Sequence, residues 1–270
     1  MGFCFIHGGF HGFGIRSSGT LKHMKLFFAF LLLLLASGFA LNRSYASIYQ
    51  KIKERHLVNP NSPGEYSIHA VTGTIQRVRY VAIGDSLTAG VGTTSSKDSF
   101  PYTLSEMLAQ SGRNVELMNL GVPAAKTQDV IDSQLQEVLS NDPDIVTMLI
   151  GINDIQAFVS GETFKRNDEK IIDELQSRTR ANIIIINLPY LGTADLITWP
   201  FSWIYHARIT TFNNIIKKIA ESKGLTLIDL NKATKDRSAR SSDYYSIDQF
   251  HPSAKGYKQW SEIMYTHANF

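Results

Sequence analysis

The chain has 270 residues, of which 43% are hydrophobic and 19% charged, and its formal net charge is +3. This composition is typical of a globular protein and excludes a disordered or fibrous chain. The first 46 residues hold four of the 27 basic residues and none of the 24 acidic ones. The remainder is therefore close to neutral, which argues against a nucleic-acid-binding protein, since such a protein needs a basic face.

Cys4 is the single cysteine. The chain therefore has no intrachain disulfide and no zinc site built from cysteines. Its fold must be stabilised by a hydrophobic core.

The N-terminal segment has the pattern of an export signal. Lys22 and Lys25 precede the uncharged run Leu26–Leu41, and the motif SYA at Ser44–Ala46 offers small residues for a cleavage site. Basic, apolar and small-residue regions in this order form a signal peptide. The run falls short of the roughly 20 residues that span a bilayer comfortably. We expect cleavage after Ala46, with an uncleaved membrane anchor as the alternative.

Three segments are predicted. Residues 1–46 are the leader, and Met24 is an alternative start because it opens a signal peptide of ordinary length. Residues 47–78 are an N-terminal extension, with a short polar helix from Ser47 and a linker rich in turn formers at Asn59–Glu65. Residues 79–270 are the main domain. The leader predicts a secreted or extracytoplasmic protein, anchored by residues 26–41 if the leader is retained.

Short apolar runs alternate with amphipathic helical patterns in the main domain. The runs are Tyr80–Ile83, Val115–Leu120, Asp144–Ile150, Asn182–Leu188 and Leu225–Leu230. Helical spacing relates Ile131 to Leu139, Phe164 to Leu175, Ile209 to Ile219, and Ser253 to Ile263. Strands that are apolar on both faces predict an α/β fold, a three-layer α/β/α sandwich with a mainly parallel five-stranded sheet. Ligands of such sheets bind at the carboxyl ends of the strands.

The first strand ends in VAIGDSLTAG, which contains Ser86. Serine and aspartate are common in strand-to-helix turns, so this motif alone is also compatible with a simple cap. A serine nucleophile needs a base and a third group that orients the base. Asp248 and His251 lie three residues apart in DQFHPSAKG, and Pro252 favours an extended backbone at His251. These residues are candidates for the base and the orienting acid.

Polar residues also follow the second and third strands. Asn153 and Asp154 end MLIGINDI, and the turn NLGVPAAKT covers Asn119–Thr127. Asn153 and Asp154 fit a helix cap. An amide at the carboxyl end of a central strand is equally well placed to donate a hydrogen bond to an oxyanion.

Together these motifs resemble the four blocks of the SGNH (GDSL-type) serine hydrolase family of lipases and esterases, in the same order and with similar spacing. The likeness covers roughly residues 80–265. The blocks are GDSL at Gly84–Leu87, NLGVPAAKT at Asn119–Thr127, GIND at Gly151–Asp154 and DQFH at Asp248–His251.

The resemblance implies a flavodoxin-like SGNH hydrolase fold and a role for each matching residue. Ser86 would be the nucleophile, His251 the general base and then the general acid, and Asp248 the group that orients His251. The oxyanion hole would combine the backbone N–H groups of Ser86 and Ala124 with the side-chain amide of Asn153. This double displacement needs no metal or cofactor.

The second block departs from the family pattern at Ala124, where the family usually has a glycine. An alanine keeps the N–H donor if the backbone there does not need a positive φ. Gly121 lies nearby but out of register, and no role is transferred to it.

The substrate is expected to be a lipid or short-chain acyl ester. The segment Pro189–Arg208 crowds Trp199, Phe201, Trp203 and Tyr205 into seven positions. These aromatic residues are typical of the buried start of a helix, and they also fit an apolar wall that accepts an acyl chain or touches a membrane.

Three alternatives remain open from the sequence. A polysaccharide O-acetylesterase or O-acetyltransferase would use the same residues on a glycan. A non-catalytic binding domain is possible on any fold. A flavodoxin-like nucleotide binder would need a phosphate-binding loop after the first strand, which GDSLTAG resembles weakly.

Overall fold

The computed structural model describes residues 18–54, 64–70, 76–190, 196, 201–235, 242–268 and 270. Residues 1–47 and residues 48–270 form two separate compact units.

The described part of the first unit is most of helix α1, Ser18–Glu54. Its stretch Lys22–Ser47 is long and apolar enough to cross a membrane, a property that signal sequences share, and none of it is buried. The predicted cleavage motif lies within this helix. The short polar helix predicted from Ser47 is not a separate element, because α1 runs through that position to Glu54.

The second unit is built on a six-stranded sheet. Five strands are parallel, and β1 is antiparallel to β3. The order across the sheet is β1-β3-β2-β4-β5-β6. The strands are β1 Gly64–Ile68, β2 Gln76–Gly84, β3 Arg113–Asn119, β4 Ile145–Leu149, β5 Asn182–Ile186 and β6 Thr226–Ile228.

The predicted α/β sandwich is confirmed, but the predicted count of five strands is wrong by one. Strand β1 begins inside the expected linker, at Gly64, and β2 begins at Gln76, ahead of the predicted domain start. β1 lies at the edge of the sheet, where Tyr66 and Ile68 pack against the core while Glu65 and Ser67 are exposed. A strand with only two inward apolar residues gives a weak periodic signal. The rest of the predicted linker, residues 59–63, lies outside the described residues.

Helices connect the parallel strands and flank the sheet. Helix α3 packs against α10, and α7 packs against α5 and α8. The helices are α2 Ser86–Ala89, α3 Phe100–Gln110, α4 Thr127–Asp129, α5 Leu135–Ser140, α6 Ile152–Gln156, α7 Gly161–Arg178, α8 Phe201–Lys223, α9 Leu230–Thr234 and α10 Ala254–His267. A π-helical turn, Val130–Gln134, joins α4 to α5.

The core lies between the sheet and these helices. β4 is buried along its whole length, and the last five residues of β2 are buried as well. Phe164 of α7 and Phe212 of α8 are fully buried, with ring centroids 4.3 Å apart. Burying one such side chain contributes about 1.5–3 kcal/mol. This packing holds the carboxyl ends of the parallel strands together at one edge of the sheet.

Candidate active site

Ser86 lies at a tight turn between β2 and α2. Gly84 has φ 154°, and a Cβ atom there would lie 2.2 Å from the carbonyl oxygen of Leu149. Only glycine therefore lets the end of β2 turn so close to β4. The Asp85 carboxylate then caps α2 by accepting a hydrogen bond from the N–H of Leu87 at 2.9 Å. This turn leaves Ser86 half-buried at the carboxyl edge of the sheet.

Asp248 and His251 lie in a loop that closes around the Asp248 carboxylate. One carboxylate oxygen, Oδ1, accepts hydrogen bonds from the Ser246 hydroxyl at 2.6 Å and from the N–H groups of Phe250 and His251 at 2.9 Å each. The N–H of Ser246 also donates to the carbonyl of His251 at 2.8 Å. Both predicted site residues are thus held by the local fold of one short loop.

The structure brings Ser86, His251 and Asp248 into one hydrogen-bonded chain. His251 Nε2 lies 2.9 Å from Ser86 Oγ, and His251 Nδ1 lies 2.5 Å from the second Asp248 oxygen, Oδ2. The histidine is 4% exposed and the aspartate 1%. A hydroxyl, an imidazole and a carboxylate in this order can move a proton from the hydroxyl to the ring.

Asp248 remains ionised in this site. Burial raises the pKa of its carboxyl, but the hydrogen bond and charge of His251, the Ser246 hydroxyl and the Phe250 N–H outweigh burial. The net result is a pKa below the ordinary value of 3.8. An ionised carboxylate at Nδ1 keeps the N–H of the imidazole on that side and directs the basic nitrogen, Nε2, at Ser86.

The two other predicted oxyanion donors also lie at this edge. The Asn153 amide nitrogen donates to the carbonyl of Ala125 at 3.0 Å and to the Asp85 carboxylate at 3.2 Å. Ala124 adopts φ 67°, so the backbone does take the conformation that favours glycine. An alanine would be unstrained there only if φ were negative. Its side chain therefore lowers the stability of the folded chain by roughly 1–2 kcal/mol. Among the described residues, neither the N–H of Ser86 nor that of Ala124 donates to another protein group.

Asp154 has a structural role next to the site. Its carboxylate accepts hydrogen bonds from the hydroxyl of Thr127 at 2.7 Å and from the N–H of Thr127 at 3.0 Å, which ties α6 to the start of α4. Thr127 and Asp154 belong to two segments that are separate in the sequence, so the pattern of neither segment alone predicts this contact.

Three further carboxyl groups are buried: Asp85 in the serine turn, Asp154 in α6 and Asp168 in α7. Burial raises the pKa of Asp85 to about 7, helped by the charge of Asp154, although Leu87 and Asn153 donate hydrogen bonds to Asp85. Burial and the charge of Asp154 raise the pKa of Asp168 to about 8. The carboxyl oxygens of Asp168 have no hydrogen-bond partner in the described part of the chain.

Gln134 was missed by sequence reasoning. Its buried amide accepts from the N–H of Gly84 at 2.9 Å and donates to the carbonyl of Gly84 at 2.8 Å. This pair of hydrogen bonds fixes the backbone immediately before Ser86. A polar residue on an otherwise apolar helical face was the only available signal.

The aromatic residues after β5 differ in burial. Phe201 and Tyr205 pack against the core, whereas Trp203 is 70% exposed. Trp199 lies outside the described residues. In the described part of the chain, no group of three or more His, Cys, Asp or Glu side chains is arranged to hold a metal ion.

Comparison with known proteins identifies the family. The model of the GDSL-like lipase/acylhydrolase family matches residues 82–259. The chain belongs to this family. It is accordingly a GDSL-family hydrolase that acts on esters, as the resemblance of the four sequence blocks implied.

Similar proteins cover most of the GDSL hydrolase unit. The chain is 25% identical to YpmR of Bacillus subtilis (strain 168), an uncharacterized protein, over 77% of this chain and 88% of that one. It is 26% identical to the spore germination lipase LipC of Bacillus licheniformis over 68% of this chain and 93% of that one. Among solved structures, the lipase/acylhydrolase from Enterococcus faecalis is 26% identical and matches with a TM-score of 0.60, over 70% of this chain and 94% of that chain.

Proposed function

We propose that this GDSL hydrolase cleaves carboxylic esters through an acyl-enzyme formed on Ser86. The observation that carries the proposal is the hydrogen-bonded chain from Ser86 Oγ through His251 to Asp248. Ser86 Oγ attacks the ester carbonyl while His251 Nε2 takes its proton. The C–O bond to the alcohol then breaks, and His251 returns the proton to the departing alkoxide.

Water completes the cycle by the same route. His251 takes a proton from water, the resulting hydroxide attacks the acyl carbon, and Ser86 leaves with the proton from His251. Asp248 stays ionised throughout and stabilises the imidazolium that forms in each half-reaction.

The oxyanion of each tetrahedral intermediate is held by three donors in this proposal. They are the N–H groups of Ser86 and Ala124 and the side-chain amide of Asn153. The absence of another acceptor for the two N–H groups among the described residues supports this assignment. The left-handed conformation of Ala124 supports it too, because strained backbone is retained at functional sites.

We further propose that the substrate is a lipid or short-chain acyl ester and that the enzyme works outside the cytoplasm. The similarity to a spore germination lipase and the exposed aromatic side chain of Trp203 support the first part. The apolar stretch Lys22–Ser47 supports the second. N-terminal sequencing of the exported protein tests the leader, since cleavage after Ala46 gives a first residue Ser47.

The substitution Ser86→Ala tests the proposed nucleophile. We expect the variant to fold with an unchanged melting temperature, to lose essentially all hydrolysis of p-nitrophenyl esters, and to resist a fluorophosphonate probe. The matched control is Ser133→Ala, because Ser133 is exposed on the π-helical turn. Turnover by Ser86→Ala equal to that of this control would overturn the assignment.

A further inference from the structure

Exposed apolar side chains are concentrated at one end of the hydrolase unit. In the described part of residues 64–270, the exposed large apolar side chains are Val122, Phe158, Trp203, Ile204, Ile247 and Tyr265. The first five lie on segments that follow the carboxyl ends of strands or border the Asp248 loop, and we call them the apolar rim. Phe158, Trp203 and Ile247 are 67%, 70% and 62% exposed.

Two members of the apolar rim flank the proposed catalytic groups directly. The N–H of Val122 donates to the carbonyl of Gly84 at 3.1 Å, which places Val122 beside the serine turn. Ile247 is the chain neighbour of Asp248, whose carboxylate is buried, yet the Ile247 side chain points to solvent.

Contacts link the segments that carry the remaining three members to elements of the proposed site. The guanidinium of Arg208 lies 5.7 Å from the ring centroid of Phe158, which joins α8 to the segment after α6. On the same helix, His206 stacks on Tyr190 with ring centroids 4.1 Å apart. The Tyr245 hydroxyl donates to the carbonyl of Tyr190 at 3.1 Å. Helix α8 and the loop that carries Asp248 and His251 therefore share Tyr190 as a neighbour, and α8 also packs against α6, which carries Asn153.

Phe158 carries a backbone cost in addition to its exposure. It adopts φ 55°, a conformation that is unusual for a bulky side chain. Glycine or asparagine would fit this position with less strain. Backbone strain of this kind clusters at functional sites, which is consistent with a functional role for the exposed ring.

We propose that the apolar rim is a docking surface for a phospholipid bilayer and that the enzyme takes ester substrate from the membrane. All five side chains are uncharged, and they lie on four separate turns and helix ends, two of which are next to the serine turn and Asp248. Tryptophan and phenylalanine among aliphatic residues suit the boundary between headgroups and acyl chains. Where the leader is retained as an anchor, the helix of the first unit, which is apolar and long enough to cross a membrane, keeps the chain at a bilayer. This surface extends the proposed function, because the ester would enter from the side that meets the lipid.

A depth measurement tests docking independently of catalysis. In a Cys4→Ser background, Ile204→Cys and Tyr265→Cys carry a nitroxide label, and Trp203 stays in place. Tyr265 is the matched control: it is exposed and lies in the last turns of α10, where its ring stacks with Phe270. Arg113, the first residue of β3, donates to the carbonyl of Phe270, so this control lies at the opposite edge of the sheet.

The labelled proteins are mixed with vesicles of phosphatidylcholine and phosphatidylglycerol. We expect the label at residue 204 to gain collisions with oxygen and lose collisions with a nickel chelate, and the label at residue 265 to behave as in buffer. Equal behaviour of the two labels would overturn the proposal. A second outcome would also overturn it. If the label at residue 204 loses collisions with the nickel chelate without vesicles, and this loss grows with protein concentration, the surface binds a second copy of the chain.

An activity measurement separates docking from the proposed chemistry. We expect Trp203→Ser to lower hydrolysis of a fluorogenic long-chain ester in these vesicles at least fivefold. Hydrolysis of dissolved p-nitrophenyl acetate should stay within twofold, and Tyr265→Ser should leave both rates unchanged. An equal loss on both substrates would refute docking through Trp203. If the unmodified protein hydrolyses neither ester, the proposed function is refuted. The depth measurement then still tests docking, because it does not depend on activity.

Discussion

At the scale of single residues, the proposed chemistry depends on one side-chain amide. Asn153 follows β4 and lies against Ala125 and Asp85, which hold its nitrogen at the carboxyl edge of the sheet. Both N–H groups of this amide already have acceptors, so one of these hydrogen bonds must be exchanged for a bond to the developing oxyanion.

Asn153→Ala should lower kcat by about 10² to 10³, which is typical for loss of one oxyanion donor. KM should change little, because the donor acts mainly in the transition state. Steady-state kinetics on p-nitrophenyl butyrate measure both constants. Asn141→Ala is the control, since Asn141 caps α5 before the amino end of β4. A kcat within threefold of that control would contradict the oxyanion role.

The buried carboxyl of Asp168 predicts a pH dependence of stability. Its pKa is raised from 3.8 to about 8 by burial and by the charge of Asp154. The folded state therefore keeps a proton that the unfolded state loses above about pH 4, so this group lowers stability as the pH rises from 4 to 8. The slope is about 1.4 kcal/mol per pH unit.

Asp168→Asn should remove that slope. Urea unfolding at several pH values between 5 and 8 measures the free energy of unfolding, and its decline with pH should be shallower in the variant. Asp132→Asn is the control, because Asp132 is exposed. Parallel pH profiles for wild type and Asp168→Asn would show that Asp168 is ionised in the folded protein.

At this scale the sequence identifies some residues of the site and misses others. Ser86, Asp248 and His251 stand in recognisable motifs, and the structure places them in contact, while their catalytic roles remain predictions. Gln134 and Asp168 were not identified. Their importance depends on burial and on partners distant in the chain, and neither leaves a local pattern.

At the scale of elements, strand β1 shows where pattern reasoning fails. Strands β2 and β4 are long buried runs that any search for apolar segments detects. β1 instead alternates two inward side chains with two exposed ones and begins among turn formers. Helix α3 was also missed, although Phe100, Leu104 and Leu108 repeat at helical spacing and are fully buried.

Tyr66→Ala should show that β1 belongs to the cooperative fold. The Tyr66 ring contacts Tyr102 edge to face, with centroids 5.3 Å apart. Loss of this half-buried aromatic contact should lower the free energy of unfolding by about 1–3 kcal/mol. Chemical denaturation measures the change. Ser67→Ala, on the exposed face of the same strand, should stay within about 0.5 kcal/mol. Equal effects of the two substitutions would mean that β1 contributes no packing.

At the scale of the whole molecule, the sheet brings together residues that are far apart in sequence. Ser86 and His251 are separated by 165 positions, yet their side chains meet at 2.9 Å. Parallel strands place the segments after β2, β3 and β4 at one edge, and the loop before α10 reaches the same edge. The alternation of strands and helices predicts this convergence. It does not predict the distances, which depend on packing.

The most direct test of the account is to trap the acyl-enzyme. The protein is mixed with p-nitrophenyl acetate, quenched in acid within the first turnover, digested and analysed by mass spectrometry. The account predicts one acetyl group on the peptide that contains Ser86, and none in Ser86→Ala. Acetylation at another residue, or hydrolysis that persists in Ser86→Ala, would contradict it.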